Sequence, residues 1–150
     1  MRLISLGNTG IGKTYHLNLF NGLTSSLLIA PTIGVNVLKI SKIQIWDASG
    51  DPKFTSMLHH YVQMSDIALF WFSSESSLGG LRNRWRPMAV HKPHIIMHPQ
   101  KLMVDEYLRS HPNCMGTVAF DSQTALYDLL ALLPANAASD SSRKRCCTII

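Results

Sequence analysis

Apolar residues fall into short blocks divided by glycine, proline and serine. Leu3–Leu6 is one such block, closed by Gly7, and has the form of a buried strand. Ile67–Phe72 is apolar at every position, with no polar alternation, which predicts a strand covered on both faces in a parallel sheet. Val35–Ile40 and Ile43–Trp46 predict two strands joined tightly at Ser41-Lys42, and His94–Met97 and Thr117–Phe120 predict two more. Helical spacing runs through Thr14–Gly22, Phe54–Met64, Gln100–Ser110 and Ser122–Leu133, and more weakly through Ser76–Arg86, where Gly79-Gly80 interrupts it. Thr24–Gly34 reads as a loop because Pro31 disfavours helix. Strands alternating with helices predict an α/β fold with a mostly parallel sheet flanked by helices. The pattern ends at Leu133, so the expected domain spans 1–133, followed by a flexible tail over 134–150 that begins with an Ala-, Ser- and Asn-rich linker.

Composition narrows this only a little. Of 150 residues, 46% are hydrophobic and 15% charged, a globular balance with enough chain for one ordinary core. The net charge of +5 is scattered. Arg82, Arg84 and Arg86 read as a solvated face, and neither they nor Arg143-Lys144-Arg145 interleave with aromatics, so no nucleic-acid partner is expected. The three cysteines, Cys114, Cys146 and Cys147, form no closed disulfide framework and fit a reducing setting. The histidines lack metal-ligand spacing. No apolar run is long enough to span a membrane, so membrane contact is expected from the tail.

The chemistry is concentrated between the first strand and helix. Gly7-Asn8-Thr9-Gly10-Ile11-Gly12-Lys13-Thr14 fits the phosphate-binding loop G-x-x-x-x-G-K-[ST]. Its glycines let backbone N–H groups curl inward around phosphate oxygens, and the helix that follows offers its positive end. Lys13 is then the partner of the β- and γ-phosphates, and Thr14 places a hydroxyl on Mg²⁺. Asp47-Ala48-Ser49-Gly50 follows a strand. Asp47 is placed to hold the water shell of Mg²⁺, and Gly50 to offer its N–H to the γ-phosphate. Thr32 is a second candidate hydroxyl for the cation.

Pro31-Thr32-Ile33-Gly34-Val35-Asn36 resembles switch I of Rab GTPases, and Gln44-Ile45-Trp46-Asp47-Ala48-Ser49-Gly50 resembles the start of their switch II. Thr9 within the phosphate loop, the 18-residue step from Thr14 to Thr32, and the positions of Phe54 and Tyr61 extend the resemblance over residues 1 to about 73. It implies a shortened small G domain that binds GTP or GDP with Mg²⁺. Gly7, Asn8, Thr9, Gly10, Ile11, Gly12, Lys13, Thr14, Thr32, Asp47 and Gly50 would hold the nucleotide. Thr14, Thr32 and, through water, Asp47 would hold the metal. It also implies an effector surface of Ile33, Gly34, Val35, Val37, Trp46 and Tyr61, in which Trp46 and Tyr61 belong to a hydrophobic triad whose third member is Val37 here. The implied work is a switch in vesicle traffic on the cytoplasmic face of intracellular membranes, read by effectors and regulators of the Rab type. The rival expectation is an interaction module that mimics this surface without cycling.

Three departures matter. The stretch between Thr32 and Asp47 is shorter than in the family. Asp51 stands where the family has the glutamine that orients water, and Pro52 follows it, which predicts slow hydrolysis. After the fifth strand the family has N-K-x-D. Here the chain reads His98-Pro99-Gln100-Lys101-Leu102-Met103, and neither the register on Gln100-Lys101 nor that on His98 supplies the base-reading carboxylate; Asp105 is the nearest in sequence. Ser122-Gln123-Thr124 is the nearest match to the family's last base-contacting motif. The chain ends Cys146-Cys147-Thr148-Ile149-Ile150, which fits a C-a-a-X site and resembles the doubled Rab lipidation site, behind a basic triplet that attracts anionic lipid.

Overall fold

The computed structural model describes residues 1–23, 29–102, 104 and 109–135. Six strands form one sheet: β1 (Arg2–Leu6), β2 (Val35–Ile40), β3 (Ile43–Ala48), β4 (Ile67–Trp71), β5 (His94–His98) and β6 (Cys114–Ala119). Their order is β2-β3-β1-β4-β5-β6, with β2 antiparallel to β3 and every other pairing parallel. The α/β expectation therefore holds. From the central β1 the chain first runs to the edge at β2, returns through β3 beside β1, and then crosses to β4 on the other side. Ligands of open α/β sheets bind where the strand order reverses, beyond the carboxyl ends of the strands. The glycine loop leaves β1 at that point.

The apolar blocks explain the layering. Successive strand residues point to opposite faces, so a strand that is apolar throughout feeds two cores. In β4, Ala68 and Phe70 join Ile4, Ile96 and Leu58 on one face, while Leu69 and Trp71 join Leu3, Ile95 and Leu17 on the other. The second face is covered by α1 (Lys13–Phe20) and α5 (Ala125–Leu132). The first is covered by α2 (Thr55–Met64), entered through a 3₁₀ turn at Pro52–Phe54, and by a long helical stretch at 75–89.

That stretch is where expectation and structure diverge most. It opens as α3 (Glu75–Gly80) with a capping box between Ser74 and Ser77, passes through a π-helical turn at Leu81–Trp85, and closes as α4 (Arg86–Ala89). Gly79 and Gly80 do not stop it, because Leu81, Trp85 and Ala89 are all buried against the sheet and tertiary burial outweighs a helix-propensity cost of about 1 kcal/mol per glycine. The β-strand expected at Thr117–Phe120 begins three residues earlier, at Cys114. Five of the eleven residues of the helix expected over Gln100–Ser110, 103 and 105–108, lie outside the described set.

The two cores are separated by the sheet itself, so small core losses on opposite faces are expected to add. Ile43→Val, on β3, and Ile96→Val, on β5, each remove one methyl from a side chain 2% or 1% exposed. Each is expected to cost about 0.5–1.5 kcal/mol in urea unfolding. The double variant is expected to equal the sum within about 0.5 kcal/mol; a larger deviation would show that the faces are coupled.

Candidate functional site

The loop from Gly7 to Gly12 turns back over the end of β1 and feeds α1. Gly12 has φ +89°, a left-handed conformation open to glycine, and its carbonyl accepts the first helical bond from His16 N–H at 3.0 Å. Lys13, the first residue of α1, is only 6% exposed. Its Nζ donates to the carbonyls of Gly7 at 2.9 Å and Asn8 at 3.0 Å, closing the loop around the ammonium. Burial pulls the Lys13 pKa from its ordinary 10.5 down to about 8; Asp47 opposes that shift and Arg84 adds to it.

Opposite Lys13, three oxygens converge. Thr14 Oγ1 lies 2.9 Å from Thr32 Oγ1 and donates to Asp47 Oδ2 at 2.5 Å, and Thr32 Oγ1 donates to the same carboxylate oxygen at 3.3 Å. They come from α1, the loop before β2 and the end of β3, segments 18 and 33 residues from Thr14 along the chain. Asp47 Oδ1 is buried and has no hydrogen-bond partner among the described residues. Burial raises the Asp47 pKa, while the Thr14 hydroxyl, the Lys13 charge and the Thr32 hydroxyl pull it back. An orphaned buried carboxylate oxygen beside two hydroxyls fits a hard divalent cation such as Mg²⁺, which takes one or two carboxylates and completes its shell from phosphate and water. The residues present therefore fit the metal.

Thr14 and Thr32 line a cavity of about 250 Å³ together with Thr9, Gly10, Gly12, Lys13, Tyr15, Pro31, Ser49 and Gly50, and Asp47 lies buried behind the two hydroxyls. Gly50 is pressed against the phosphate loop: a Cβ there would lie 2.1 Å from Thr9 N and 2.3 Å from Asn8 C. No side chain fits between these backbones. Asn8 and Ile11 belong to the loop without lining the cavity. The Asn8 side chain turns away and its Oδ1 accepts the Trp85 indole N–H at 2.8 Å.

Asp51 also turns away. Its Oδ1 accepts Lys53 N–H at 3.0 Å, capping the 3₁₀ turn, and its Oδ2 pairs with Lys53 Nζ at 3.0 Å. The Lys53 bonds hold its carboxyl below the usual range. The carboxylate at the position of the family's water-orienting glutamine thus caps the turn beside it.

On the expected effector face, Ile33 is 80% and Val37 58% exposed, and Gly34 adopts φ +70° while its carbonyl accepts Ser49 N–H at 2.8 Å. Val37 pairs across the hairpin with Trp46, whose ring meets Tyr61 edge-on at 5.3 Å. Trp46 itself is buried, and Val35 and Tyr61 pack against the same core.

At the other end of the sheet, Gln100 N–H donates to Asp121 Oδ1 at 2.6 Å, joining the loops after β5 and β6. Asp121 lines a second cavity with Tyr15, His16, Phe120 and Ser122, and Tyr15 also lines the first. Asp121 sits on a loop with no motif spacing, so nothing in the sequence pattern singles it out. Met103 and Asp105 lie outside the described residues, as do Cys146 and Cys147. Arg84 was also missed: read as solvated, it donates to Gly50 O at 2.9 Å and Thr55 Oγ1 at 2.6 Å.

Residues 2–97 match the domain family described as Ras of Complex, Roc, domain of DAPkinase. The chain belongs to that Ras-related family of small GTPase domains. Within it the chain is a divergent, shortened, Rab-like member. It is 26% identical to Ras-related protein RABE1d of Arabidopsis thaliana over 134 residues, which cover 81% of this chain and 62% of that protein. Human Ras-related protein Rab-37 is 30% identical over 92 residues, covering 54% of this chain and 41% of its own length. ADP-ribosylation factor-like protein 2 of Dictyostelium discoideum is 34% identical over 82 residues, covering 52% and 44%. The Rab-like chain thus spans about six-tenths of the length of RABE1d and less of the other two.

The buried Lys13 gives this Rab-like domain a testable pH signature. With its folded pKa near 8 and its unfolded value near 10.5, the unfolded chain binds more protons between those limits, so this group adds stability to the ligand-free protein as pH rises through the window. Urea unfolding at pH 7.5 and pH 10 is expected to show that gain relative to Lys13→Met. Equal pH dependence in both proteins would contradict it.

Proposed function

We propose that the chain is a Rab-like GTP-binding switch. The observation that carries this reading is the convergence of Thr14, Thr32 and Asp47 on one point beside the buried Lys13, with one Asp47 oxygen left unpartnered. Gly7 to Thr14 cradle the phosphates, Thr14 and Thr32 hold Mg²⁺ directly, and Asp47 holds it through water. The cation those residues would hold would supply positive charge that neutralises part of the phosphates' charge. Asp121, in the cavity joined to the phosphate site through Tyr15, is the described carboxylate on which a preference for guanine rests.

Hydrolysis is slow on this reading. Neither a carboxylate nor a carboxamide is among the described residues that line the phosphate cavity, and Asp51 is committed to Lys53, so no group of that kind is placed to orient water. Switch I and switch II present Ile33, Val37 and Tyr61 to effectors. The tail, residues 134–150, carries lipid on Cys146 and Cys147. Two chains, or one chain with the basic triplet, anchor stably where a single chain binds only marginally. The chain would then act in vesicle traffic from the cytoplasmic face of an intracellular membrane.

The Asp51–Lys53 pairing also favours a second reading, in which the Rab-like surface binds effectors or regulators without cycling. Titration with fluorescent GTP, GDP and ATP analogues in Mg²⁺ separates the two. The switch reading expects guanine-selective binding that Lys13→Ala weakens by about a hundredfold or more, the cost of removing a buried charged partner. Single-turnover hydrolysis is expected at or below about 10⁻⁴ s⁻¹, under the intrinsic Ras rate. Absence of nucleotide binding moves the assignment to the non-cycling module, and equal ATP binding removes the guanine claim.

A further inference from the structure

The π-helical turn between α3 and α4 places two consecutive side chains on two different parts of the nucleotide site. Arg84 reaches the start of switch II, through the Gly50 carbonyl at 2.9 Å and the Thr55 hydroxyl at 2.6 Å. Trp85 reaches the phosphate loop, through Asn8 Oδ1 at 2.8 Å. The two are tied to each other as well, with the guanidinium carbon 3.9 Å above the Trp85 ring. Single π turns inside α-helices recur at functional positions because the extra residue re-aims the side chains around it. One turn earlier, Gly80 lets the helix pack so close that a Cβ would lie 2.4 Å from the Asn8 amide. Phosphate loop, switch II and this helix are therefore in three-way contact.

Arg84 is not free to fluctuate. Its planar fork holds two acceptors at once, and one face is covered by an indole, an arrangement a lysine does not reproduce. Its charge lies directly behind Gly50, on the side away from the cavity, and is felt at both Lys13 and Asp51. Gly50 is the cavity wall contributed by switch II. Lys13, across the cavity, is the expected partner of the β- and γ-phosphates.

We propose that Arg84 is a positioning residue that makes the site prefer a nucleoside triphosphate over the diphosphate, by holding Gly50 closed against the phosphate loop and placing a fixed positive charge behind it. The proposal rests on the nucleotide-binding reading above. Its chemistry is selective because only the third phosphate reaches the wall that Arg84 holds. A diphosphate is gripped by the phosphate loop and Lys13 and ends short of it.

The test is the ratio of GTP to GDP affinity, measured with fluorescent analogues in Mg²⁺ on the full chain. Arg84→Ala is expected to weaken GTP binding about tenfold, the worth of a charge-assisted hydrogen bond, while GDP binding changes by less than about twofold. Arg84→Lys keeps the charge but holds one acceptor, and is expected to retain part of the preference. Thr55→Val leaves the arginine in place and removes one of its anchors, so it is expected to shift the ratio in the same direction by less, and it serves if Arg84→Ala does not fold. A purely structural role would lower both affinities by the same factor, and that result, or an unchanged ratio in a protein that binds GTP, overturns the proposal. Failure of the unaltered protein to bind either nucleotide would overturn the function reading itself, and this proposal with it.

Discussion

The organisation of this domain depends on a buried carboxylate that its described neighbours satisfy on one side only. Asp47 is fully buried at the end of β3, and the hydroxyls of Thr14 and Thr32 occupy one of its oxygens while the other has no partner. Burying such a group is unfavourable unless something compensates it. The compensation comes from segments distant in sequence, and drawing them together is what closes the loop before β2 over the cavity. The first turn of α1 and the end of β3 thus meet around a centre of negative charge facing a centre of positive charge at Lys13. The two desolvated groups are displaced in opposite directions from their ordinary pKa values, each mainly by burial, and each partly corrected by the other. A site with these two centres is complementary to a ligand that brings both a cation and an anion.

Much of this was legible in the chain. The phosphate loop announces itself because its geometry demands glycines at fixed spacing, and Thr32 and Asp47 stand out because of the segments around them. The sheet was legible for a related reason: β4, apolar at every position, can only lie between two layers. What pattern cannot reveal is where a long polar side chain goes once the fold exists. Arg82, Arg84 and Arg86 look alike in sequence, yet the π turn directs Arg84 onto the backbone of switch II. Asp51 misled for the opposite reason. Its position is that of the family's water-orienting glutamine, but Pro52 starts a 3₁₀ turn directly after it, and a short carboxylate in that place caps the turn. Asp121 carried no motif at all and gained meaning only when Gln100 was found bonded to it from the neighbouring loop.

The long helical stretch shows the same contest between local and global preference. Two adjacent glycines argue against helix, and Pro87 adds to the argument a few residues later. Leu81, Trp85, Met88 and Ala89 nevertheless bury one continuous stripe against the sheet. The π turn accommodates the conflict by absorbing one extra residue just before the proline. Local irregularity here is what allows one helix to touch both the phosphate loop and switch II.

Gly116, at the start of β6, lies against Leu132, at the end of α5, close enough that a Cβ on the glycine would meet the leucine side chain at 2.8 Å. The last helix therefore runs back along the sheet and delivers the chain to the pole opposite the phosphate cavity, where Leu133 is still buried. A side chain at Gly116 would press on Leu132, so the route by which the described chain leaves the domain depends on the absence of one there.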